Sequence, residues 1–390
     1  MSKIPLSVPS LKGNEAKYLN DCVEKEWVSS AGQYVNDFEE KISRYVGARY
    51  SVACVNGTAA LHIALKVAGV KSGDEVIVPS LTFISSVNAI SYNNASPVFM
   101  DSDEYFNIDG SKTIDFIKNK TRFTNGNTYN LITGKKISAI IPVHVWGNAC
   151  LLDDLYKICI EKNIIIIEDA AESLGTKYLE GAFKGKHTGT VGELGCLSFN
   201  GNKIITSGGG GMLLTDNESL AIKAKHLTTQ AKLDPLNYIH DDIGYNFRLT
   251  NLQAAVGVAQ LEQLPLFLNK KKDIFSFYKR NINEIDGLSI YNTPDYSSNN
   301  HWLNVLRIDK KKYKHTRDDL IKRFYDCNIE VRPVWGLNHK QTPYKDCQNY
   351  KISTSDLLVE NSLCLPSSVS LSEKDLNKIL SVLNLSLIHI

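Results

Sequence analysis

The sequence has 390 residues, which is too long for one ordinary hydrophobic core and predicts two domains. It contains 43% hydrophobic and 22% charged residues, as a globular enzyme does. The formal net charge of +2 gives no reason to expect nucleic acid or a membrane surface as the main partner. No apolar run approaches the roughly 20 residues that span a bilayer, and residues 1–9 lack the pattern of a signal peptide. We therefore expect a cytoplasmic protein.

The eight cysteines form no CxxC pair, and several lie inside apolar runs, as Cys196 does. This pattern is typical of reduced thiols in a protein core rather than of a disulfide frame or a zinc site. The cysteines therefore predict no metal centre.

From residue 51 to residue 215, short apolar runs alternate with segments of helical length. The runs predicted as buried strands are 51–55, 75–78, 97–100, 139–143, 164–167 and 196–199, and 59–68 is predicted as a helix. This alternation predicts a mostly parallel sheet with helices on both faces, an α/β architecture. The polar stretch 119–136 contains Asn125-Gly126-Asn127 and predicts an inserted loop or hairpin with its tip in solvent.

The last third of the chain opens with a long helical pattern at residues 252–264. The basic run Lys270-Lys271-Lys272 follows, and such a run usually forms a solvated helix face. Strand and helix patterns then alternate up to Ile390. We expect a large domain of residues 1–250, and a second unit of residues 251–390 made of the connecting helix and a small α/β domain.

Asn56-Gly57-Thr58 lies where the first predicted strand turns into a helix. Gly57 lets the backbone approach a ligand, the N–H groups of the first helical turn favour an anion, and the Thr58 hydroxyl would add a phosphate donor. A plain helix N-cap at Asn56 or Thr58 explains these residues at least as well. The chain has no GxGxxG and no P-loop lysine, which disfavours dinucleotide and nucleoside-triphosphate sites.

Three polar groups in the chain are further candidates. Asp169 follows the strand 164–167, and ligands of open α/β sheets bind beyond the carboxyl ends of strands. A carboxylate there can keep a pyridinium nitrogen protonated, although capping the next helix is an equally good interpretation. Lys203 follows the strand 196–199, where partial desolvation would make it a better nucleophile. Arg248 suits a carboxylate ligand or a structural salt bridge.

Four ordered motifs resemble those of the DegT/DnrJ/EryC1/StrS sugar aminotransferases, a branch of the aspartate-aminotransferase fold. The motifs are NGTAAL at 56–61, EDAAE at 168–172, SFNGNK at 198–203 and GYNFR at 244–248. Each motif is weak alone, but their joint order and spacing are specific. The resemblance extends from the IPLSVP segment at 4–9 to the LCLPS segment at 363–367. It implies a fold type I enzyme that uses pyridoxal 5'-phosphate.

The resemblance also implies roles for the matching residues. Lys203 would be the Schiff-base lysine and would move the proton, and Asp169 would pair with the pyridine nitrogen of the cofactor. The cofactor phosphate would be held by residues from two subunits of a homodimer with shared active sites. Those residues are Gly57, Thr58 and Ser198, with Asn246 from the neighbouring subunit.

Two further positions match the family less decisively. Phe83 would stack on the cofactor ring, although ordinary core packing also explains it. Glu172 would lie near the phenolic oxygen of the cofactor, where relatives more often carry Gln or His. Relatives with His in place of the lysine remove a hydroxyl group instead, so Lys203 argues against a dehydratase.

Within the family, the stretches 198–206 and 226–232 look most like enzymes that act on UDP-linked 4-keto-6-deoxy N-acetyl sugars. Those enzymes belong to routes to bacillosamine and legionaminic acid. Segment 330–339 resembles a substrate-side loop of this subgroup and makes Arg332 and His339 candidate sugar-nucleotide contacts, or else surface residues.

The expected reaction moves the amino group of L-glutamate to carbon 4 of the sugar, with Arg248 as the candidate for the donor carboxylate. The alternatives are a 3-keto-sugar aminotransferase, a sugar dehydratase and a non-catalytic regulatory protein of the same fold. A nicotinamide oxidoreductase is disfavoured because its glycine fingerprint is missing.

Overall fold

The structure is a computed structural model and describes residues 3–234 and 236–388. The outer ends of the two predicted domains, residues 1–2 and 389–390, lie outside the described residues. The helices are α1 (Glu15–Glu24), α2 (Gln33–Val46), α3 (Gly57–Val67), α4 (Ser85–Tyr92), α5 (Gly110–Asn119), α6 (Asp153–Glu161), α7 (Glu218–Thr228), α8 (Asn251–Ile282), α9 (Arg317–Asp326), α10 (Thr354–Glu360) and α11 (Glu373–Ile388).

The strands make one large and one smaller sheet, with a short two-stranded ribbon. They are β1 (Tyr50–Cys54), β2 (Glu75–Pro79), β3 (Ser96–Met100), β4 (Thr121–Thr124), β5 (Asn127–Asn130), β6 (Lys136–Ile140), β7 (Ile165–Asp169), β8 (Leu194–Ser198), β9 (Gly211–Thr215), β10 (Lys232–Asp234), β11 (Ile239–His240), β12 (Leu288–Ile290), β13 (Asn304–Ile308), β14 (Arg332–Pro333), β15 (Asn349–Tyr350) and β16 (Ser362–Leu365).

The large sheet has the strand order β1-β9-β8-β7-β6-β2-β3-β15. From β8 to β15 neighbouring strands run parallel, whereas β9 is antiparallel to both of its neighbours. Helices α3 to α6 connect the parallel strands, as crossovers in such a sheet require. The predicted α/β class with a mostly parallel sheet is confirmed.

Both faces of this sheet are covered, which explains why its strands read as continuous apolar runs. Every residue of β2 is buried. Successive side chains of a strand point to opposite faces, and accordingly Val76 and Val78 pack in one hydrophobic cluster while Ile77 packs in another. The sheet therefore separates two cores and presents its strand ends at the edge between them.

Two predicted elements can be compared with the structure in detail. The stretch 119–136 contains the hairpin β4–β5, which turns at Asn125-Gly126 with positive φ at both residues, as a tight hairpin turn requires. The predicted strand 139–143 ends earlier, at Ile140. Pro142 has no N–H to donate to the ladder, and pairing continues beyond it only as an isolated bridge between Val143 and Asp169.

The long helix α8 begins with a capping box, in which the Thr250 hydroxyl accepts from the Gln253 N–H. The expectation of a solvated basic run is wrong for Lys271, whose side chain is buried although its neighbours are exposed. Residue 271 lies three or four positions from Phe267 and Ile274, both buried, so the helical period turns it inward. Burial lowers the pKa of Lys271 to about 7.

The four strands of the smaller sheet, in the order β12-β13-β16-β14, all pair antiparallel and lie after α8. β15 comes from the same part of the chain but pairs with β3 of the large sheet. Among the described residues, no helix has the length and apolar character needed to cross a bilayer.

Candidate active site

A cavity of about 390 Å³ opens at the carboxyl ends of β1, β2, β7 and β8. This is the edge at which open α/β sheets bind ligands. Seven of the eleven residues that the sequence singles out line it, namely Gly57, Thr58, Phe83, Asp169, Glu172, Ser198 and Lys203. The fold therefore brings together side chains that are up to 146 positions apart, from Gly57 to Lys203.

The N-terminus of α3 forms one wall of the cavity. The Asn56 side chain caps the helix by accepting from the Ala59 N–H at 2.8 Å, so the plain N-cap and the anion site coexist here. A Cβ placed on Gly57 would lie 2.9 Å from the Ser198 Cβ, closer than two such carbons approach. Only glycine lets α3 come so near Ser198. The helix N-terminus and the Thr58 and Ser198 hydroxyls thus make a cradle suited to a phosphate.

Asp169 is 3% exposed and its carboxylate is held from two sides. One oxygen accepts from the Ser86 hydroxyl at 2.6 Å, and the other accepts from the Ala171 N–H at 3.1 Å. Ser86 is fully buried on α4. These two donors orient the carboxylate before any ligand arrives. Sequence reasoning missed Ser86 because it lies 83 positions away in a helix with no distinctive pattern.

Glu168, the neighbour of Asp169, anchors the end of β7 from the other face of the strand. Its side chain is fully buried and accepts from the Val191 and Gly192 N–H groups at 2.6 and 2.7 Å. His144 Nε2 lies 2.8 Å from Glu168, and His144 Nδ1 accepts from the Cys150 N–H, so Nε2 carries the donated proton. Despite burial, the pKa of Glu168 is lowered by His144 and the backbone donors.

Lys203 reaches the centre of the cavity with its side chain only 12% exposed. Its Nζ lies 3.4 Å from Glu172 Oε1 and 4.1 Å from the centroid of the Trp302 ring. The other carboxylate oxygen of Glu172 accepts from the Trp146 N–H at 3.0 Å. Burial raises the pKa of Glu172 to about 7, although the positive charge of Lys203 opposes the rise. The lysine nitrogen therefore faces a carboxyl group that exchanges protons near neutral pH.

Tryptophans that sequence reasoning did not single out form the remaining wall. Trp302 and Trp335 line the cavity, and Trp146 stacks on both of them. Trp302 and Trp335 come from distant loops beyond α8, where no local pattern marks them. The one available signal was that Trp335 lies within segment 330–339.

Arg248 and Asn246 lie outside this cavity in the single chain. Arg248 lines a separate cavity of about 300 Å³ together with Lys225, and its buried Nε has no hydrogen-bond partner among the described residues. Asn246 is exposed, and its backbone bridges to Thr229. The structure therefore does not bring these two residues to Lys203 within one subunit.

Arg332 and His339 also lie apart from Lys203. Arg332 pairs with Glu330 at 2.6 Å and lines a neighbouring cavity of about 530 Å³. That cavity shares Asn202, Trp302 and Trp335 with the first one. His339 lines neither cavity, because its Nδ1 lies 2.7 Å from the Ser80 hydroxyl and its ring packs near Phe99. Its position is that of a residue joining segment 330–339 to the large sheet.

Comparison with known proteins identifies the family to which the chain belongs. The model of the DegT/DnrJ/EryC1/StrS aminotransferase family matches residues 9–384. This chain belongs to that family. GDP-perosamine synthase from Escherichia coli O157:H7 is 36% identical over 385 residues, covering 98% of each chain. GDP-perosamine synthase from Caulobacter vibrioides is 34% identical over 387 residues, again covering 98% of each.

A crystal structure of a DegT DnrJ EryC1 StrS aminotransferase from Brucella abortus superposes with a TM-score of 0.83 at 26% identity, covering 95% of this chain and 94% of that one. The DegT/DnrJ/EryC1/StrS enzymes are pyridoxal-phosphate-dependent aminotransferases of fold type I, and this chain is one of them. The cavity fits that cofactor, because it combines a phosphate cradle with a buried carboxylate and a lysine.

Proposed function

We propose that this enzyme transfers the amino group of L-glutamate to carbon 4 of a UDP-linked 4-keto-6-deoxy sugar, UDP-2-acetamido-2,6-dideoxy-xylo-hexos-4-ulose. The observation that carries the proposal is the placement of Lys203 Nζ in the same cavity as Asp169 and the Gly57 cradle. The names of the relatives support a sugar-nucleotide substrate, since two of them are called GDP-perosamine synthase.

The residues that the sequence singled out in this cavity have separate tasks in this reaction. Pyridoxal phosphate, when bound, carries the amino group between the two substrates and stabilises negative charge at the reacting carbon. Gly57, Thr58 and Ser198 would hold its phosphate, and Asp169 would keep its ring nitrogen protonated. Lys203 would serve as the proton carrier at the reacting carbon, taking a proton from the donor carbon in the glutamate half-reaction and delivering a proton to the sugar carbon in the second half-reaction.

Glu172 and the tryptophans complete the site around the lysine nitrogen. Glu172 is the group closest to Lys203 Nζ that can accept or return a proton. The buried position of both side chains keeps bulk water from competing for that proton. We propose that Phe83, which lines the cavity, packs against the cofactor ring.

A homodimer with shared active sites completes the proposal. Asn246 would reach the cofactor phosphate of the neighbouring subunit, and Arg248 would bind the glutamate carboxylate there. The buried, unpartnered Nε of Arg248 supports a ligand at this side chain, since an orphaned donor costs about 1–3 kcal/mol. Arg332, at the rim of the neighbouring cavity, remains the candidate for a sugar-nucleotide contact. Residues 1–250 and 251–390 would form the two domains between which the substrate binds.

A GDP-linked 4-keto sugar is the second candidate, because two relatives that span the whole chain carry the name GDP-perosamine synthase. The same fold also supports amination at carbon 3 or removal of a hydroxyl group. Lys203 argues against the hydroxyl removal, for which relatives carry His at this position.

The proposal is tested by incubating the purified enzyme with L-glutamate and either the UDP-linked or the GDP-linked 4-keto sugar. We expect 2-oxoglutarate and a 4-amino sugar from the UDP substrate, with the position and configuration of the amine read by NMR. Lys203→Ala should abolish turnover, whereas Lys184→Ala, at an exposed lysine, should not affect it. A 3-amino product, a deoxygenated product or preference for the GDP substrate would each overturn the proposal.

A further inference from the structure

Three of the four tryptophans stack face to face beside the lysine nitrogen, and we call Trp302, Trp146 and Trp335 the tryptophan wall. The Trp302 and Trp146 centroids are 5.8 Å apart with the rings 19° from parallel. The Trp146 and Trp335 centroids are 4.1 Å apart at 22°. Phe83 packs near Trp335, with ring centroids 6.1 Å apart, and extends the apolar lining of the cavity.

Hydrogen bonds to Trp302 hold the tryptophan wall in place. The Trp302 indole N–H donates to the Asn202 carbonyl at 2.6 Å, and the Trp302 carbonyl accepts from the buried Lys271 Nζ at 2.7 Å. Trp302 and Trp146 are 3% and 1% exposed, while Trp335 is half-buried and lines both cavities. A surface whose side chains are fixed in this way can discriminate between ligands, because repacking it around a poorly fitting group costs free energy.

The position of Lys203 places the reacting sugar carbon next to this wall. For proton transfer the lysine nitrogen must come within about 3 Å of its target. Because Nζ lies 4.1 Å from the centre of the Trp302 ring, a carbon within its reach also lies near the wall. A carbon within about 3 Å of Nζ lies within about 7 Å of the Trp302 ring centre, so a group two bonds from the reacting carbon can reach the indole rings that line the cavity.

Among the groups that flank carbon 4 of the proposed sugar, the 6-methyl carries no polar atom. A hydroxyl or amide pressed against an indole face would lose its water without gaining a hydrogen bond. We propose that the tryptophan wall, with Trp335 as its outer ring, is the specificity determinant that accepts a 6-deoxy sugar and rejects its 6-hydroxy counterpart. This inference rests on the proposed function.

The test compares two sugar nucleotides that differ only at carbon 6, the 6-deoxy 4-keto substrate and its 6-hydroxy analogue. An apolar site discriminates against an added hydroxyl by about 10- to 100-fold. We therefore expect the wild-type holoenzyme to prefer the 6-deoxy substrate in kcat/KM by at least about tenfold. Trp335→Ala should bring the ratio close to one, and Trp335→Phe, which keeps an aromatic face, should preserve most of it.

Trp27→Ala is the matched control, since Trp27 is 56% exposed and lies outside the wall. It should leave the preference unchanged. Trp335→Gln provides a second variant in case the alanine variant does not fold, and should shift the preference toward the 6-hydroxy substrate. The half-reaction with glutamate, followed by the visible absorbance of the cofactor, should proceed at the wild-type rate in the Trp27→Ala control. In each Trp335 variant the same half-reaction shows that the holoenzyme is folded and active, and the preference is then read as the ratio of kcat/KM for the two sugars.

The outcomes separate the inference from the function on which it rests. If the wild type reacts with glutamate but aminates neither sugar nucleotide, the proposed function fails. If it aminates both sugars equally well, or if the alanine or glutamine variant keeps the wild-type preference, the tryptophan wall is not the determinant and the inference is overturned.

Discussion

Lys271 makes the stability of this enzyme depend on pH in a way that one substitution removes. Burial lowers the pKa of its ammonium from 10.5 to about 7. Between these two values the unfolded chain holds a proton that the folded protein lacks, so the free energy of unfolding rises with pH by about 1.4 kcal/mol per unit. From pH 7 to pH 9 the gain from this single residue is about 2 kcal/mol. Lys271→Met removes the titrating group and with it this gain.

The assay is urea unfolding of the wild-type and Lys271→Met apoproteins at pH 7, 8 and 9. The variant also loses two hydrogen bonds, to the Trp302 and Ser367 carbonyls, which lowers its stability at every pH. The change of the difference with pH comes from the proton that Lys271 releases on folding. The difference in unfolding free energy should therefore grow with pH in favour of the wild type. Lys270→Met, at an exposed neighbour, should give a curve parallel to the wild type. Parallel curves for Lys271→Met as well would refute the reasoning.

The remaining predictions concern the cavity. Ser86→Ala removes a hydrogen bond to the Asp169 carboxylate, worth about 1.5–3 kcal/mol, and should weaken cofactor binding at least about tenfold in a titration of the apoprotein. An unchanged dissociation constant would show that Asp169 is oriented without it. Gly57→Ala would force a Cβ to within 2.9 Å of the Ser198 Cβ and should also weaken cofactor binding, as measured by equilibrium dialysis. A variant that binds the cofactor with wild-type affinity would contradict the assignment of Gly57 to the phosphate site. Burial raises the pKa of Glu172 to about 7, so Glu172→Gln should remove the limb of the pH–rate profile near pH 7. If the variant keeps this limb, the limb belongs to another titrating group.

The fold and the centre of the site could be predicted because both depend on local patterns. Apolar runs of strand length fix the parallel sheet, and Gly57, Asp169, Ser198 and Lys203 each lie within five residues of a strand end. Parallel strands place their carboxyl ends at one edge, so these residues meet in one cavity without any long-range information.

The rest of the site could not be read from local patterns. Trp302 reaches the cavity and Ser86 reaches Asp169 through tertiary packing, and no sequence motif marks either residue. The burial of Lys271 could not be predicted from the run of three lysines, because such a run resembles a solvated helix face. Only the position of residue 271 around the axis of α8 shows that it faces the core. Arg248 lies in a separate cavity, so any role beside Lys203 depends on a second subunit that one sequence does not describe.

The tryptophan wall also gives the enzyme a built-in optical probe. The rings are stacked with centroids 4.1 and 5.8 Å apart, and Trp302 lies against Lys203 Nζ, so a ligand that binds at the lysine changes the surroundings of this stack. The fourth tryptophan, Trp27, emits separately from an exposed position. Because three of the four tryptophans belong to the stack, we expect the intrinsic ultraviolet fluorescence to respond to ligand binding at Lys203, so that binding can be timed in a rapid-mixing experiment without attaching any dye.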